Sequence, residues 1–258
     1  MAEVTPMMKQ YLELRDKYKD CILFYRLGDF YELFYDQAEL CSRELELTLT
    51  GKDCGQEQRA PMCGIPFHAI NTYIPKMVEK GYKVAICEQV EDPKNAKGLV
   101  KRDVVKIITP GTITDSTMLD EKKNNYIASI IKEKSNIAFS FCDISTGEFK
   151  VTSFNGIDSD IKLINEISRV LPSEVILHDS IKKDISLVGQ ITKLFDLYIS
   201  YSNNISNTTV YDNASINNNL DEIEKNCANL LLNYIDETQK TNIDQINNIE
   251  KYCTEIFM

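Results

Sequence analysis

Two apolar runs of strand composition, Ile22-Leu23-Phe24-Tyr25-Arg26-Leu27 and Phe30-Tyr31-Glu32-Leu33-Phe34, are separated only by Gly28-Asp29. A Gly-Asp pair between two such runs reads as a tight β-hairpin. Successive side chains on a strand alternate faces, so Phe30 and Glu32 point one way and Tyr31 and Leu33 the other. A half-buried strand alternates apolar with polar. Tyr31 and Leu33 therefore read as the core set, and Phe30 with Glu32 as the outward pair. The plain alternative is a core phenylalanine beside a solvated charge, since most aromatics are buried. An exposed ring beside a carboxylate instead suits a surface that wedges into something stacked and hydrogen-bonds to it.

The rest of the chain has the pattern of an α/β protein with mixed sheets. Thr5-Pro6 supplies an N-cap and a first helical residue, and Met7, Met8, Tyr11, Leu14 and Tyr18 form a helical stripe. Asp36 is placed to cap a second helix with the stripe Ala38, Cys41 and Leu45. Residues 51–61 read as a polar loop, which PMCGIP (61–66) continues as an irregular stretch. A helix is expected over 69–80, with Pro75 as a local inconsistency. Strands are expected at 84–87 and 104–109, the second closed by Pro110-Gly111.

Residues 112–124 form a polar connection, after which the pattern resets. Three consecutive strands (127–131, 137–143, 149–154) precede a helix at 158–170, a strand at 174–177, a helix at 184–195 and a short strand at 197–199. Ser202 to Asn219 is Asn-rich and reads as a long mobile loop, followed by a last helix carrying Leu220, Ile223, Cys227, Leu230, Leu231 and Tyr234. Strands in hairpins, then alternating with helices, give a mixed sheet with helices packed on it. The apolar ending Ile256-Phe257-Met258 reads as a cut at a domain boundary.

Charge narrows the partners. The formal net charge of the 258 residues is −10, which argues against a generally basic nucleic-acid binder; any contact with a polyanion must be a local patch. Residues 1–119 carry a net of −2 and residues 120–258 a net of −8, so the first half is the better candidate. Lys94, Lys97, Lys101 and Arg102 form a charge run, ordinarily a solvated loop, with phosphate contact as the functional alternative. The eight cysteines include no C-x-x-C and are joined by only two histidines, so no zinc site is expected. Free thiols fit a reducing cytosol. Neither a signal peptide nor an apolar run of about 18 residues is present, so no membrane partner is expected.

Catalytic motifs are missing. There is no G-x-x-x-x-G-K-[ST] phosphate loop and no G-x-G-x-x-G, so this stretch has no nucleotide site of its own. His68 and His178 read as structural. Asp143, within Phe141-Cys142-Asp143-Ile144-Ser145-Thr146-Gly147-Glu148-Phe149, sits where an RNase H-like nuclease would place a metal-binding carboxylate. Two-metal chemistry needs several convergent carboxylates, and neither Glu174 nor Asp179 is an obvious partner.

GDFYELF, PMCGIPFHA, VAICEQVEDP and VVKIITPGT, in this order and spacing, resemble the N-terminal part of the MutS family of mismatch-recognition proteins. The resemblance is specific over 5–112 and looser over 120–250, where residues 141–149 and Thr238-Gln239-Lys240 still match. It implies a mismatch-recognition domain over 1–115, a linker over 116–125 and an RNase H-like connector domain over 126–258. It places the family's wedge phenylalanine at Phe30 and its base-contacting glutamate at Glu32, with Arg59, Met62 and His68 in loops near DNA. A ring entering the minor groove partly unstacks a base step and kinks the duplex. A carboxyl among phosphates and partly desolvated favours its protonated form, which can donate to an acceptor on the displaced base; ionised, it repels undamaged DNA. The resemblance further implies mismatched double-stranded DNA as ligand, a MutL-like partner at the connector, and a cytoplasmic, nucleoid-associated bacterial protein. In the full-length protein it implies a homodimer and an ATPase using ATP and Mg. The rivals are a metal-dependent nuclease of the RNase H-like half and a MutS paralogue without mismatch binding.

Overall fold

The computed structural model describes residues 4–55, 57–91, 98–115, 118, 124–207, 215–216, 219–241 and 244–254. They pack into two compact units, Met1–Thr109 and Pro110–Met258.

In the first unit, helix α1 (Pro6–Lys17) starts where Thr5 Oγ1 accepts the Met8 N–H at 3.4 Å, with Pro6 at the first helical position. Strands β1 (Cys21–Leu27) and β2 (Phe30–Phe34) follow, then α2 (Tyr35–Glu44), β3 (Thr50–Lys52), β4 (Ala60–Pro66), a 3-10 turn (Phe67–Ala69), α3 (Ile70–Glu79), β5 (Lys83–Gln89) and β6 (Arg102–Ile108). The sheet order is β3-β4-β2-β1-β5-β6, and only β1 and β5 run parallel. Alternate residues Cys21, Leu23 and Tyr25 of β1, with Phe34, Ala60, Ala85 and Val104, bury one face under Met8, Tyr11 and Leu14 of α1. On the other face α2 closes over β4, where Cys63 Sγ donates to the Ala38 carbonyl at 3.5 Å.

Two expectations change here. PMCGIP is not irregular; it is β4, paired with β2 on one side and β3 on the other. Its prolines lie near its two ends, and Cys63 and Ile65 between them are fully buried. Asp36 does not cap α2. Phe34 occupies the cap position with no side-chain bond, Tyr35 turns the chain at φ 56°, and Asp36, inside the first turn, pairs with Arg15 at 2.5 Å. Pro75 lies inside α3, where it contributes no N–H to the helix.

The second unit opens with a 3-10 turn (Pro110–Thr112) and continues through β7 (Tyr126–Glu133), β8 (Asn136–Asp143), β9 (Glu148–Asn155), α4 (Ser159–Val170), β10 (Glu174–His178), α5 (Ile185–Leu194), β11 (Tyr198–Ser202), β12 (Ser215–Ile216), α6 (Glu222–Gln239) and β13 (Asn248–Lys251). The order β11-β10-β7-β8-β9-β13-β12 holds an antiparallel meander, β7 to β9, flanked by parallel strands on both sides. Residue parity divides the sheet. Ile127, Ile131, Ala138, Cys142 and Ile176 meet α6, whereas Ala128, Ile130, Ile137, Phe139 and Val175 meet α4 and α5. This three-layer arrangement is the expected RNase H-like, mixed α/β architecture.

The Asn-rich stretch is only partly as expected. Asn233 Nδ2 of α6 donates to the carbonyls of Asn204 and Ser206, each at 2.9 Å, and Ser215–Ile216 pair with β13. Residues 208–214 and 217–218 lie outside the described residues. The turn Pro110–Thr112 is built into this unit. The Gly111 N–H donates to Glu174 Oε2 at 3.1 Å, and Gln239 Nε2 donates to the Thr112 carbonyl at 3.2 Å. A Cβ at Gly111 would lie 2.8 Å from the Cβ atoms of Glu174 and Ile127, so this motif needs glycine for close approach.

Candidate functional site

The β1–β2 hairpin turns through two residues, with Leu27 opposite Phe30 and Gly28 at φ 58°. Positive φ at the first turn position, without it at Asp29, is the pattern of a type II′ turn. The tip is tied down from both sides. Arg26 Nε donates to the Gly28 carbonyl at 2.5 Å, and the Phe67 N–H donates to the Asp29 carbonyl at 2.9 Å. The Arg26 guanidinium lies 4.1 Å from the Phe67 ring centroid and 5.5 Å from that of Tyr31, and pairs with Glu88 at 3.8 Å. Tyr31 donates its hydroxyl to Glu88. Burial and the Glu88 carboxylate raise its pKa, so it stays a neutral donor.

Phe30, Glu32 and Phe34 share a face of β2, and that face is not simply the outward one. Phe34 is fully buried against Tyr11, Glu32 is half-buried, and Phe30 is 46% exposed. Burial fades along the strand as it leaves the cover of α1. Tyr31 and Leu33 are buried on the opposite face, as expected.

Register places β4 beside this pair: Glu32 faces Gly64, Phe30 faces Pro66 and Phe34 faces Met62. A Cβ built at Gly64 would touch Phe30 Cδ1 at 3.7 Å and Glu32 Cγ at 3.8 Å. Gly64 thus leaves a notch between ring and carboxylate. Lys52 reaches in from β3, its Nζ 2.5 Å from Glu32 Oε2 and 5.8 Å from the Phe34 ring centroid.

The sequence-derived residues are not all together. Phe30, Glu32 and Met62 share one face of adjacent strands, Met62 being half-buried against the α1 core. His68 is exposed in the turn after Pro66, its ring edge-on to Phe67 at 5.8 Å. Arg59 is exposed at the opposite end of β4. In the charge run, Lys101 is exposed and Lys94 and Lys97 lie outside the described residues. Arg102 is not a solvated cation. It is 6% exposed, donates to the carbonyls of Arg26 and Val100 at 2.7 and 2.9 Å, and lies 5.2 Å from the Tyr25 ring centroid. Burial pushes the Tyr25 hydroxyl up to about 12 even though Arg102 opposes the shift.

Sequence reasoning missed Lys52, Phe67 and Arg26. Phe67, 41% exposed directly after a strand-ending proline, carried the only local signal.

The connector carboxylates do not converge. Asp143 is buried and accepts from the Ser145 N–H and hydroxyl at 2.9 and 2.6 Å, closing its own turn. Glu174 is also buried and accepts from Ser200 at 2.7 Å and Tyr234 at 2.6 Å. Asp143 stands opposite Tyr126, on the α4–α5 face, whereas Glu174 stands opposite Ile127, on the α6 face. The sheet lies between them. Asp179 is engaged by Lys182 and Asn203. Among the described residues no group of three or more His, Cys, Asp or Glu side chains is arranged to hold a metal ion.

None of the eight cysteines is in a disulfide, and seven are buried. Burial pushes the thiols of Cys41 and Cys87 up to about 12 and those of Cys63 and Cys227 up to about 11, so they pack as small apolar groups. No helix among the described residues is long and apolar enough to cross a membrane.

Known proteins resemble this chain in sequence over its whole length. The family model for MutS domain I matches residues 5–117 and that for MutS domain II matches residues 125–250. The chain is 49% identical, over all of its own length, to the DNA mismatch repair protein MutS of Ruminiclostridium cellulolyticum and to that of Acetivibrio thermocellus. It is 51% identical over 96% of its length to that of Clostridium botulinum. The chain spans 31%, 31% and 27% of these relatives. With both domain models matched in order, the chain belongs to the MutS family and carries its domains I and II.

Proposed function

We propose that the first unit recognises mismatched duplex DNA by inserting Phe30 into the minor groove, while Glu32 tests the displaced base. The carrying observation is the half-exposed Phe30 at the end of a central strand that is fully buried four residues further on, at Phe34. A ring on a firmly held tip can partly unstack a base step, which costs on the order of a few kcal/mol. Mismatched steps deform more cheaply than paired ones, so discrimination comes through deformability. No base edge is common to all mismatches, and direct readout alone cannot serve.

The second unit relays the bound state to an ATPase that the longer relatives would supply beyond this region, and its acidic surface docks a MutL-like partner. ATP and Mg belong to that larger assembly, as does a homodimer. Met62 borders the wedge, and Arg59 and His68 make secondary phosphate contacts.

The test is Phe30→Ala in the full-length context, with binding measured on a G·T duplex, an unpaired-base duplex and a matched control. Preference for the first two is expected to vanish while the fold is retained. Unchanged preference would overturn the wedge assignment.

A further inference from the structure

The ion pair between Lys52 and Glu32 sets a problem for the reading above, on which this inference rests. Among the described residues Glu32 is the only ion-pair partner of Lys52, and the contact is 2.5 Å. The Glu32 side chain is only 13% exposed and that of Lys52 28% exposed. In the free protein Lys52 therefore neutralises the carboxylate and holds its Oε2.

We propose that Lys52 is a specificity-determining residue that acts through Glu32, exchanging the carboxylate for a DNA phosphate when a mispaired base engages Glu32. Lysine suits the task, being a point charge on a flexible stem with three rotatable donors. Its alternative partner arrives with the ligand, since a duplex brings a row of phosphates to whatever surface its groove covers. On matched DNA Glu32 finds no displaced base, Lys52 stays with it, and no extra phosphate is neutralised. On mismatched DNA Glu32 turns to the base and the ammonium passes to the backbone. The exchange keeps Lys52 paired in both complexes, with Glu32 in the first and with a phosphate in the second.

This has a signature in salt dependence. Each phosphate neutralised steepens the fall of log K with log salt by about 0.9. Binding is measured in the full-length context on matched and G·T duplexes over a range of salt concentrations, for wild type, Lys52→Met, Lys52→Arg, Glu32→Gln and the double variant. Lys52→Met is expected to lower the mismatch slope by about 0.9 and leave the matched slope unchanged. Lys52→Arg should restore the wild-type difference. Glu32→Gln frees Lys52 and should raise the matched slope by about 0.9, a rise absent from the double variant. If Lys52→Met lowers both slopes equally, or neither, the exchange is overturned. If Glu32→Gln leaves mismatch preference intact, the assignment of Glu32 itself fails, and the exchange with it.

Discussion

The Tyr11 ring meets the Phe34 ring edge-on, with centroids 4.9 Å apart, while Phe30, on the same face of the same strand, stands half in solvent. On the proposed wedge reading, the two phenylalanines separate stability from function. Phe34→Ala should destabilise the first unit by about 3–5 kcal/mol, the usual cost of deleting a buried aromatic. Phe30→Ala should stay within about 0.5 kcal/mol of wild type. Urea unfolding of both variants checks this; a large loss for Phe30→Ala would make Phe30 a core residue.

Gly111→Ala should destabilise the second unit. The added methyl would lie 2.8 Å from Glu174 and Ile127, and the backbone bond to Glu174 Oε2 would shift with it. Overpacking of this kind costs about 1–3 kcal/mol. Thermal unfolding measures it, and an unchanged midpoint would mean that the turn is not held against β7 and β10.

Asp184 caps α5 and pairs with Lys132 at 2.6 Å; Lys132 also pairs with Asp160 at 2.7 Å. The hydrogen bond from Lys132, then that from the Leu187 N–H, hold the Asp184 carboxyl below its usual pKa. A carboxyl whose pKa is lowered on folding contributes stability above its unfolded value, about 3.9, and loses it as the pH falls through the folded value. Asp184→Asn keeps a competent cap and removes the charge. Its destabilisation should be below about 1 kcal/mol at pH 7 and shrink between pH 4 and 2. Unfolding midpoints compared across that range give the answer; a gap that widens on acidification would contradict it.

The 258-residue chain by itself should bind DNA weakly, with Kd above about 1 μM at physiological salt. Its formal net charge is −10, and Arg102, in the one basic run of its first unit, is buried and committed to the protein. Fluorescence anisotropy with a labelled mismatched duplex checks this, and sub-micromolar binding would contradict it.

What the sequence disclosed follows how local each signal is. The hairpin was legible because its turn residues and alternation lie within residues 22–34. The meander β7 to β9 was legible because buried strands make apolar runs. Strand β4 was hidden because Pro61, Gly64 and Pro66 carry loop chemistry, and only β2 and β3, closing from both sides, make it a strand. β13 has one fully buried residue, Ile249, and so no periodicity to detect. Lys52 was illegible for a similar reason: its partner Glu32 lies twenty residues away, and a lysine in a polar stretch looks like any other. Arg102 misled because a buried arginine and a solvated one are spelled alike.

The fading burial along β2 has a mechanical consequence. β2 is paired with β4 along its whole length and with β1 from Phe30 to Glu32, and its inner end is locked in the core at Phe34. Its inner end is clamped in the core, and on the proposed reading the load falls at the other. The span from Phe30 to Phe34 is roughly 13 Å at about 3.3 Å per residue. Force met by the ring passes along two ladders of hydrogen bonds into packed side chains instead of being absorbed by a yielding loop. On the wedge reading proposed above, a duplex pressed against this ring would take up the deformation itself.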